Sequence, residues 1–366
     1  MKPTLRPRRF MRTALTGAIA GLTLLAAAAC SSGSTVSSSN GKQNQKFKVC
    51  MATGGAGLDW MKGQGDVARV LAKRRGWDYV ELSNNNDAAT ANKNADVFIQ
   101  DKCKAVIEFN GQPSVNPVLA KKFAAAKIPV ITYDIGQKGW YFLGIDNKKA
   151  GEAGGAALGR IAKQKWNCNV DLVVSSEAAA AGVVNQQRTG GMRQGVKSVC
   201  PNIPASKYVS FEGNGLLSSA QPAARALLAA HTSAKRILVV GINDSGVVGA
   251  LQAAEQLNRA SQVIGWGQDG SLISGSNVNP HLAGSVFYFL EGYPVYAFSK
   301  ILDKIAAGSP PAVGDDTHNN PTVLLPPCPV TRGQAAKIPA MPQRIKKLLA
   351  APNGTTEDSL FCPNHS

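Results

Sequence analysis

The chain is poor in the residues that most reactions depend on. It has four His in 366 residues. They lie far from one another and, except at the tail, far from any Cys pair. No C-x-x-C occurs either, so a metal centre is not indicated. No Ser sits in a G-x-S-x-G elbow, and the nearest run, Asp244-Ser-Gly246, has the wrong flanks. Gly54-Gly-Ala-Gly57 lacks the trailing G-K-[ST] of a phosphate loop, and Gly144 to Gly155 does not follow the dinucleotide fingerprint. His231 and His281 fall in or near predicted helix ends and read as surface residues. With no nucleophile–base–acid set and no cofactor motif, the expectation is a protein that is not an enzyme and carries no cofactor. Acidic residues are also few, 23 against 40 basic, for a net charge of +17. The basic blocks (Lys73-Arg74-Arg75, Lys121-Lys122, Arg344 to Lys347) lack interleaved aromatics, which argues against nucleic-acid binding. No helix-turn-helix segment precedes Phe47.

What is present begins with an export signal. Lys2, Arg6, Arg8, Arg9 and Arg12 form a positive n-region, followed by an apolar stretch from Ala14 to Ala29 that is too short for a comfortable membrane span. The small-residue run ending at Cys30 resembles the bacterial lipobox, although Ala27 stands where Leu is usual. Residues 1–30 are therefore expected to be a signal peptide with Cys30 as the lipidated residue. Residues 31–46, rich in Ser, Gly, Asn, Gln and Lys, would be a flexible tether. Loss of the leader leaves 35 basic against 23 acidic residues, a balance of +12. That predicts a general attraction to anionic lipid or wall polymer.

From Phe47 onward, apolar strand-like runs alternate with helical periodicity. Phe47–Ala52, Tyr79–Leu82, Ala105–Phe109 and Ile128–Asp134 read as strands separated by helices. A second series follows at Val170–Ser175, Tyr208–Phe211, Arg236–Ile242, Gln262–Gly267 and Ser285–Phe289. Uninterrupted apolar strands alternating with helices predict parallel, doubly wound sheets. The expected fold class is α/β, with two Rossmann-like lobes. The Pro-rich region from residue 308 yields one strand, Val323–Leu325, and a helix from Gln334 to Ala350. Apart from Cys30, six Cys remain, and an even number in an exported chain suggests disulfides. Six Cys allow fifteen pairings. The strand map favours Cys50–Cys103, Cys168–Cys200 and Cys328–Cys362.

Several strands end in a polar side chain: Asn110, Asp134, Asn243-Asp244 and Asp269. In open α/β sheets ligands bind beyond the carboxyl ends of the strands. Carboxylates and amides at such positions suit a polyol, whose hydroxyls both donate and accept. Five motifs in collinear order then resemble the type I periplasmic sugar-binding proteins of bacterial ABC importers, the ribose-binding group above all. They are Ile128-Pro-Val-Ile-Thr-Tyr-Asp134, Ile145-Asp-Asn-Lys-Lys-Ala-Gly151, Gln187-Arg-Thr-Gly-Gly-Met192, Asn243-Asp-Ser-Gly-Val-Val-Gly-Ala-Leu251 and Gly265-Trp-Gly-Gln-Asp-Gly270.

The resemblance implies two lobes joined by three hinge crossings, near Ile145–Asp146, Tyr288–Phe289 and Pro321–Leu325. The N-terminal lobe would comprise 47–145 plus 289–320 and the C-terminal lobe 146–288 plus 321–327. Residues 328–366 would be a disulfide-pinned extension. It also implies ligand contacts from Trp60, Asn110 and Asp134 in the first lobe and Arg188, Phe211, Asn243 and Asp269 in the second. Four positions depart from the family pattern. Ile135 stands where many members have Arg, Gln268 replaces an aromatic, and Tyr288 replaces a Gln. The loop Gly54–Gly57 also lacks the usual Asn. The implied function is a monomeric solute-binding lipoprotein on the outer face of the cytoplasmic membrane or in the periplasm, which captures a sugar or polyol and docks on ABC permease subunits. The alternative is a ligand sensor of the same fold acting on a membrane receptor kinase. Glu177, in a loop near the expected cleft, would be an exposed residue or a contact for a cation or further hydroxyls.

Overall fold

A computed structural model describes residues 46–55, 59–274, 277–314 and 323–363. The leader, Cys30 and nearly all of the tether lie outside these residues, as does Pro321. The first lobe opens with β1 (Lys48–Thr53), α1 (Asp59–Arg74), β2 (Asp78–Ser83), α2 (Ala88–Gln100), β3 (Ala105–Glu108), α3 (Asn116–Ala125), β4 (Val130–Tyr133) and β5 (Tyr141–Ile145). The second contains α4 (Asn147–Trp166), β6 (Leu172–Glu177), α5 (Val183–Val199), β7 (Tyr208–Glu212), α6 (Leu217–Ala230), β8 (Ile237–Gly241), α7 (Asp244–Gln256), β9 (Val263–Asp269) and β10 (Leu282–Phe287). The chain then runs through α8 (Tyr293–Tyr296), a π turn (Ala297–Leu302) and α9 (Asp303–Ala306). It ends with β11 (Val323–Leu325), β12 (Cys328–Thr331), α10 (Arg332–Ala335), α11 (Met341–Ala350) and α12 (Glu357–Phe361).

Two six-stranded sheets result, in the orders β11-β5-β4-β3-β1-β2 and β12-β10-β9-β8-β6-β7. Every pairing is parallel except β10 with β12. The inner parallel strands are buried on both faces, and successive side chains divide between them. In β1, Val49 and Met51 join Val67 of α1 and Phe298, whereas Cys50 and Ala52 join Phe98 of α2 and Phe123 of α3. In β8, Leu238 and Val240 share a core with Leu158 of α4 and Met192 of α5. Ile237 and Val239 pack instead with Ala220 of α6 and Leu251 of α7. Helices start on side-chain caps where the sequence provides them. Asp87 accepts from Thr90 N at 2.7 Å, Asp146 from Lys149 N at 3.0 Å and Asn243 from Gly246 N at 2.9 Å.

The chain passes between the sheets at Asp146, at Tyr288–Phe289 and at Pro326-Pro327. The third crossing differs from the expected one. Val323–Leu325 is registered on Leu143–Ile145 of β5, so it belongs to the first sheet rather than to the C-terminal lobe. The crossing falls immediately after it, where consecutive prolines offer no N–H to either ladder. Cys328–Thr331 is not part of an extension but the antiparallel edge strand of the second sheet. Beyond it, the helix expected over Gln334–Ala350 is split in two, with Pro339 and Pro342 between the first piece and the body of the second. The disulfides are Cys50–Cys103, Cys168–Cys200 and Cys328–Cys362, with Cα separations of 5.9, 5.4 and 5.9 Å.

Candidate ligand-binding site

The carboxyl ends of the two sheets each present an aspartate on strained backbone. Asp134 follows β4 with φ 57° and Asp269 ends β9 with φ 86°. A left-handed aspartate is uncommon, and such conformations gather at binding sites. Asp134 is held from three sides. Its Oδ1 accepts from Ile145 N at 3.1 Å and from the Tyr293 hydroxyl at 3.2 Å, and its Oδ2 lies 3.4 Å from Arg188 Nη2. The Ile145 contact depends on Gly144, because a Cβ there would lie 2.6 Å from Oδ1.

Arg188 reaches Asp134 from the opposite lobe. It is carried by α5, whose Gly191 and Gly195 lie against Gly151 and Gly155 of α4. That small-residue seam brings the two backbones together. At the start of α4, Asn147 accepts Arg188 Nε at 2.7 Å. The guanidinium lies 4.7 Å from the centre of the Tyr288 ring, within cation–π range. Glu177 organises the first turns of α5. It accepts from Ser175 Oγ (2.6 Å), Thr189 Oγ1 (2.7 Å), Asn185 Nδ2 (2.8 Å) and Arg193 Nη1 (3.0 Å). It is thus half-buried and fully engaged, not an exposed loop residue.

Asp269 Oδ1 accepts from Ser271 N at 2.8 Å. Burial pushes its carboxyl up to about 6, against the pull of Ser271 and the Arg188 charge. Asp244 behind it is fully buried and accepts from Ser285 Oγ at 2.6 Å and Leu272 N at 2.9 Å. Burial and the neighbouring Asp269 raise it well above the ordinary carboxylate range. Asp134 is raised in the same direction by burial, which Arg188, Ile145 and Tyr293 oppose. Gln268 is buried, donates to Gly241 O at 3.1 Å and accepts from the Tyr288 hydroxyl.

The structure thus joins Asp134 to Arg188 directly and places Asp269 within reach of the Arg188 charge. Trp60, Asn110, Phe211 and Asn243 share no hydrogen bond or ion pair with that cluster among the described residues. Trp60 meets Phe109 edge-on at 5.5 Å. Asn110 is buried beside it. Its Oδ1 accepts from Gln112 N at 3.1 Å, while its Nδ2 has no hydrogen-bond partner among the described residues. Phe211 is buried in β7 within the second lobe's core. Asn243 caps α7 and donates to Gly215 O at 2.8 Å. Asn147 and Tyr293 join the cluster without having been named as contacts from the sequence, while Asp244 was read only as a strand-end group and Tyr288 only as a departure from the family pattern. Asn147 and Asp244 lay inside quoted motifs, whereas Tyr293 had no signal beyond following a crossing. No cluster of three or more His, Cys, Asp or Glu able to hold a metal occurs among the described residues.

Two doubly wound lobes, three crossings and facing polar strand ends define a two-lobed binding protein. The chain belongs to the periplasmic binding protein domain family, which residues 49–279 match. It is 28% identical over 217 residues to the D-apiose import binding protein of Paraburkholderia graminis, a match spanning 58% of this chain and 66% of that protein. Its fold is similar to that of an ABC transporter periplasmic solute-binding protein from Actinobacillus succinogenes with bound D-allose. The TM-score is 0.64 at 17% identity, covering 79% of this chain and 99% of the other. It is also similar to the Caulobacter myo-inositol binding protein bound to myo-inositol, with a TM-score of 0.64, 17% identity and coverage of 82% and 97%.

Proposed function

We propose that this protein is an extracytoplasmic solute-binding lipoprotein that captures a sugar or polyol between its lobes and delivers it to an ABC importer. The observation that carries the reading is the meeting of Asp134 and Arg188, from opposite lobes, in a buried polar cluster at the carboxyl ends of both sheets. A ligand there contacts both lobes, so its binding energy shifts the population toward the closed form. Carboxylates, a guanidinium and the Asn110 amide together offer acceptors and donors to vicinal hydroxyls. Trp60 supplies an aromatic face for the C–H side of a ring. The similarity to proteins named for D-apiose and myo-inositol, and to one with bound D-allose, supports the same ligand class. Cys30 would anchor the chain to the membrane through lipid, with the permease pair as partner.

The test is a thermal-shift screen of the leaderless protein against sugars, polyols, nucleosides and amino acids. Stabilisation by sugars or polyols is expected. A response to amino acids or nucleosides alone would overturn the ligand class.

A further inference from the structure

Residues beyond β12 reach from the second lobe to the first and return. α10 packs on β10 and β12, α11 packs on α1 and the Leu290–Gly292 turn, and Cys362 is bonded back to Cys328 of β12. This segment lies outside residues 49–279, the part that matches the family.

At its centre is a buried charge cluster. Arg344 is 4% exposed, Glu291 2% and Glu357 1%. Arg344 Nε donates to Glu291 Oε1 at 2.7 Å and Nη2 donates to the same oxygen, while Nη1 donates to Pro339 O at 3.0 Å. Glu357 Oε1 lies 3.7 Å from Arg344 Nε. The guanidinium is 5.7 Å from the ring centres of both Phe287, at the end of β10, and Phe289, in the second crossing. Phe289 also meets Phe361 of α12 at 6.3 Å, and Tyr296 donates to Asp358. Buried ion pairs seldom add net stability relative to apolar packing, so this one calls for another account.

The account lies two residues along the chain. Glu291 sits in the turn that ends at Tyr293, and Gln64 of α1 fixes the same turn by donating to Leu290 O at 2.7 Å. Tyr293 is fully buried, packs edge-on against Tyr133 at 5.4 Å and donates to Asp134 Oδ1. The path from Arg344 to Asp134 therefore runs by ion pair to Glu291, along two residues of backbone to Tyr293, and from the Tyr293 hydroxyl to Asp134.

We propose that the C-terminal segment is a clasp on the second hinge crossing, in which Arg344 is a positioning residue that orients Asp134 through Glu291 and Tyr293. The clasp itself stands on geometry; its consequence for binding rests on Asp134 being a ligand contact. Arg344→Ala alone would strand two buried carboxylates and could unfold the chain. The triple variant Arg344→Met/Glu291→Gln/Glu357→Gln removes the charges together, and Tyr293→Phe removes one hydroxyl.

The experiment has two arms on the leaderless chain. The first needs no ligand. Amide exchange at Ile145, whose N–H donates to Asp134, is expected to quicken at least about tenfold in the triple variant and in Tyr293→Phe, with β8 amides unchanged. Unchanged exchange at Ile145 in both overturns the positioning role, as does equal acceleration in β8, which would mark general destabilisation. The second arm measures affinity for D-apiose, D-allose and myo-inositol. A loss of about tenfold is expected in each variant, and a combined loss smaller than the product of the two. Multiplicative losses overturn the path from Arg344 to Asp134. Altered exchange in the first arm with unaltered affinity for a sugar that binds the parent overturns Asp134 as a ligand contact and leaves the clasp standing.

Discussion

Asp134 Oδ2 and Arg188 Nη2 stand 3.4 Å apart although one belongs to the first sheet and the other to a helix of the second lobe. The same guanidinium packs on Tyr288, which lies in a crossing between the lobes. One side chain therefore touches both halves and the hinge. Removal of Asp134 leaves Arg188 with Asn147, the Tyr288 ring and the nearby Asp269 charge, so binding should suffer more than folding.

Asp134→Ala is expected to abolish ligand-induced thermal stabilisation while leaving the ligand-free chain folded by circular dichroism. A buried charge-assisted contact contributes about 1.5–3 kcal/mol, or roughly ten- to hundredfold in affinity. Asp269→Ala should act in the same direction. Undiminished stabilisation in both variants would remove these residues from the site.

Gly144→Ala probes how Asp134 is held. The added methyl would lie 2.6 Å from Oδ1, so the carboxylate must turn away from Ile145 N. The expected cost is about 1–3 kcal/mol in stability, together with weaker binding. Calorimetry on the purified variant checks both, and wild-type affinity would show that the Ile145 contact does not matter to the ligand.

The general architecture was legible in the sequence because parallel strands buried on both faces are written as unbroken apolar runs. Val130–Tyr133 and Ile237–Gly241 show this directly. The strand-end polar positions were legible for the same reason, since each follows such a run. The end of the chain was not. A three-residue strand such as Val323–Leu325 carries no periodicity, so its sheet could be assigned only by pairing. Two apparent defects at the site proved to be one arrangement. Gln268 stands where an aromatic was expected and Tyr288 where a Gln was expected, and the structure bonds the two side chains to each other. No linear reading of either position shows this, because the partners are 20 residues apart and meet across β9 and the end of β10.

The disulfides give a stability prediction. Cys50–Cys103 ties β1 to the turn before β3 and closes a separation of 53 residues. Loss of the bond through Cys50→Ser/Cys103→Ser is expected to cost about 2–5 kcal/mol. The proposed site lies at the carboxyl ends of these strands, away from the bond, so ligand affinity at a temperature where the variant is folded should be near that of the parent. Urea unfolding with and without reductant measures the first effect and titration the second. No stability loss would argue that the bond is not formed in the exported protein.

The aspartates should also make the protein respond to pH. Burial raises Asp269 to about 6, from an ordinary value of about 3.9. A carboxyl raised in the folded state holds its proton more tightly there than in the unfolded chain. Its contribution to stability is therefore complete below about pH 4 and lost as pH rises through 6. Asp244 and Asp134 are raised as well, so the effect of Asp269 must be read as a difference. Between pH 7.5 and 5, the ligand-free parent should gain up to about 1 kcal/mol of unfolding free energy relative to Asp269→Asn, allowing for the partial exposure of Asp269. Sugar binding should run the other way, because a protonated Asp269 is a poorer acceptor for a hydroxyl. Affinity in the parent should fall below pH 6, whereas the Asn variant should bind more weakly and with a flatter profile. Parallel pH profiles for parent and variant, in both stability and affinity, would show that Asp269 keeps its ordinary ionisation and would remove it as the acceptor that sets the pH response.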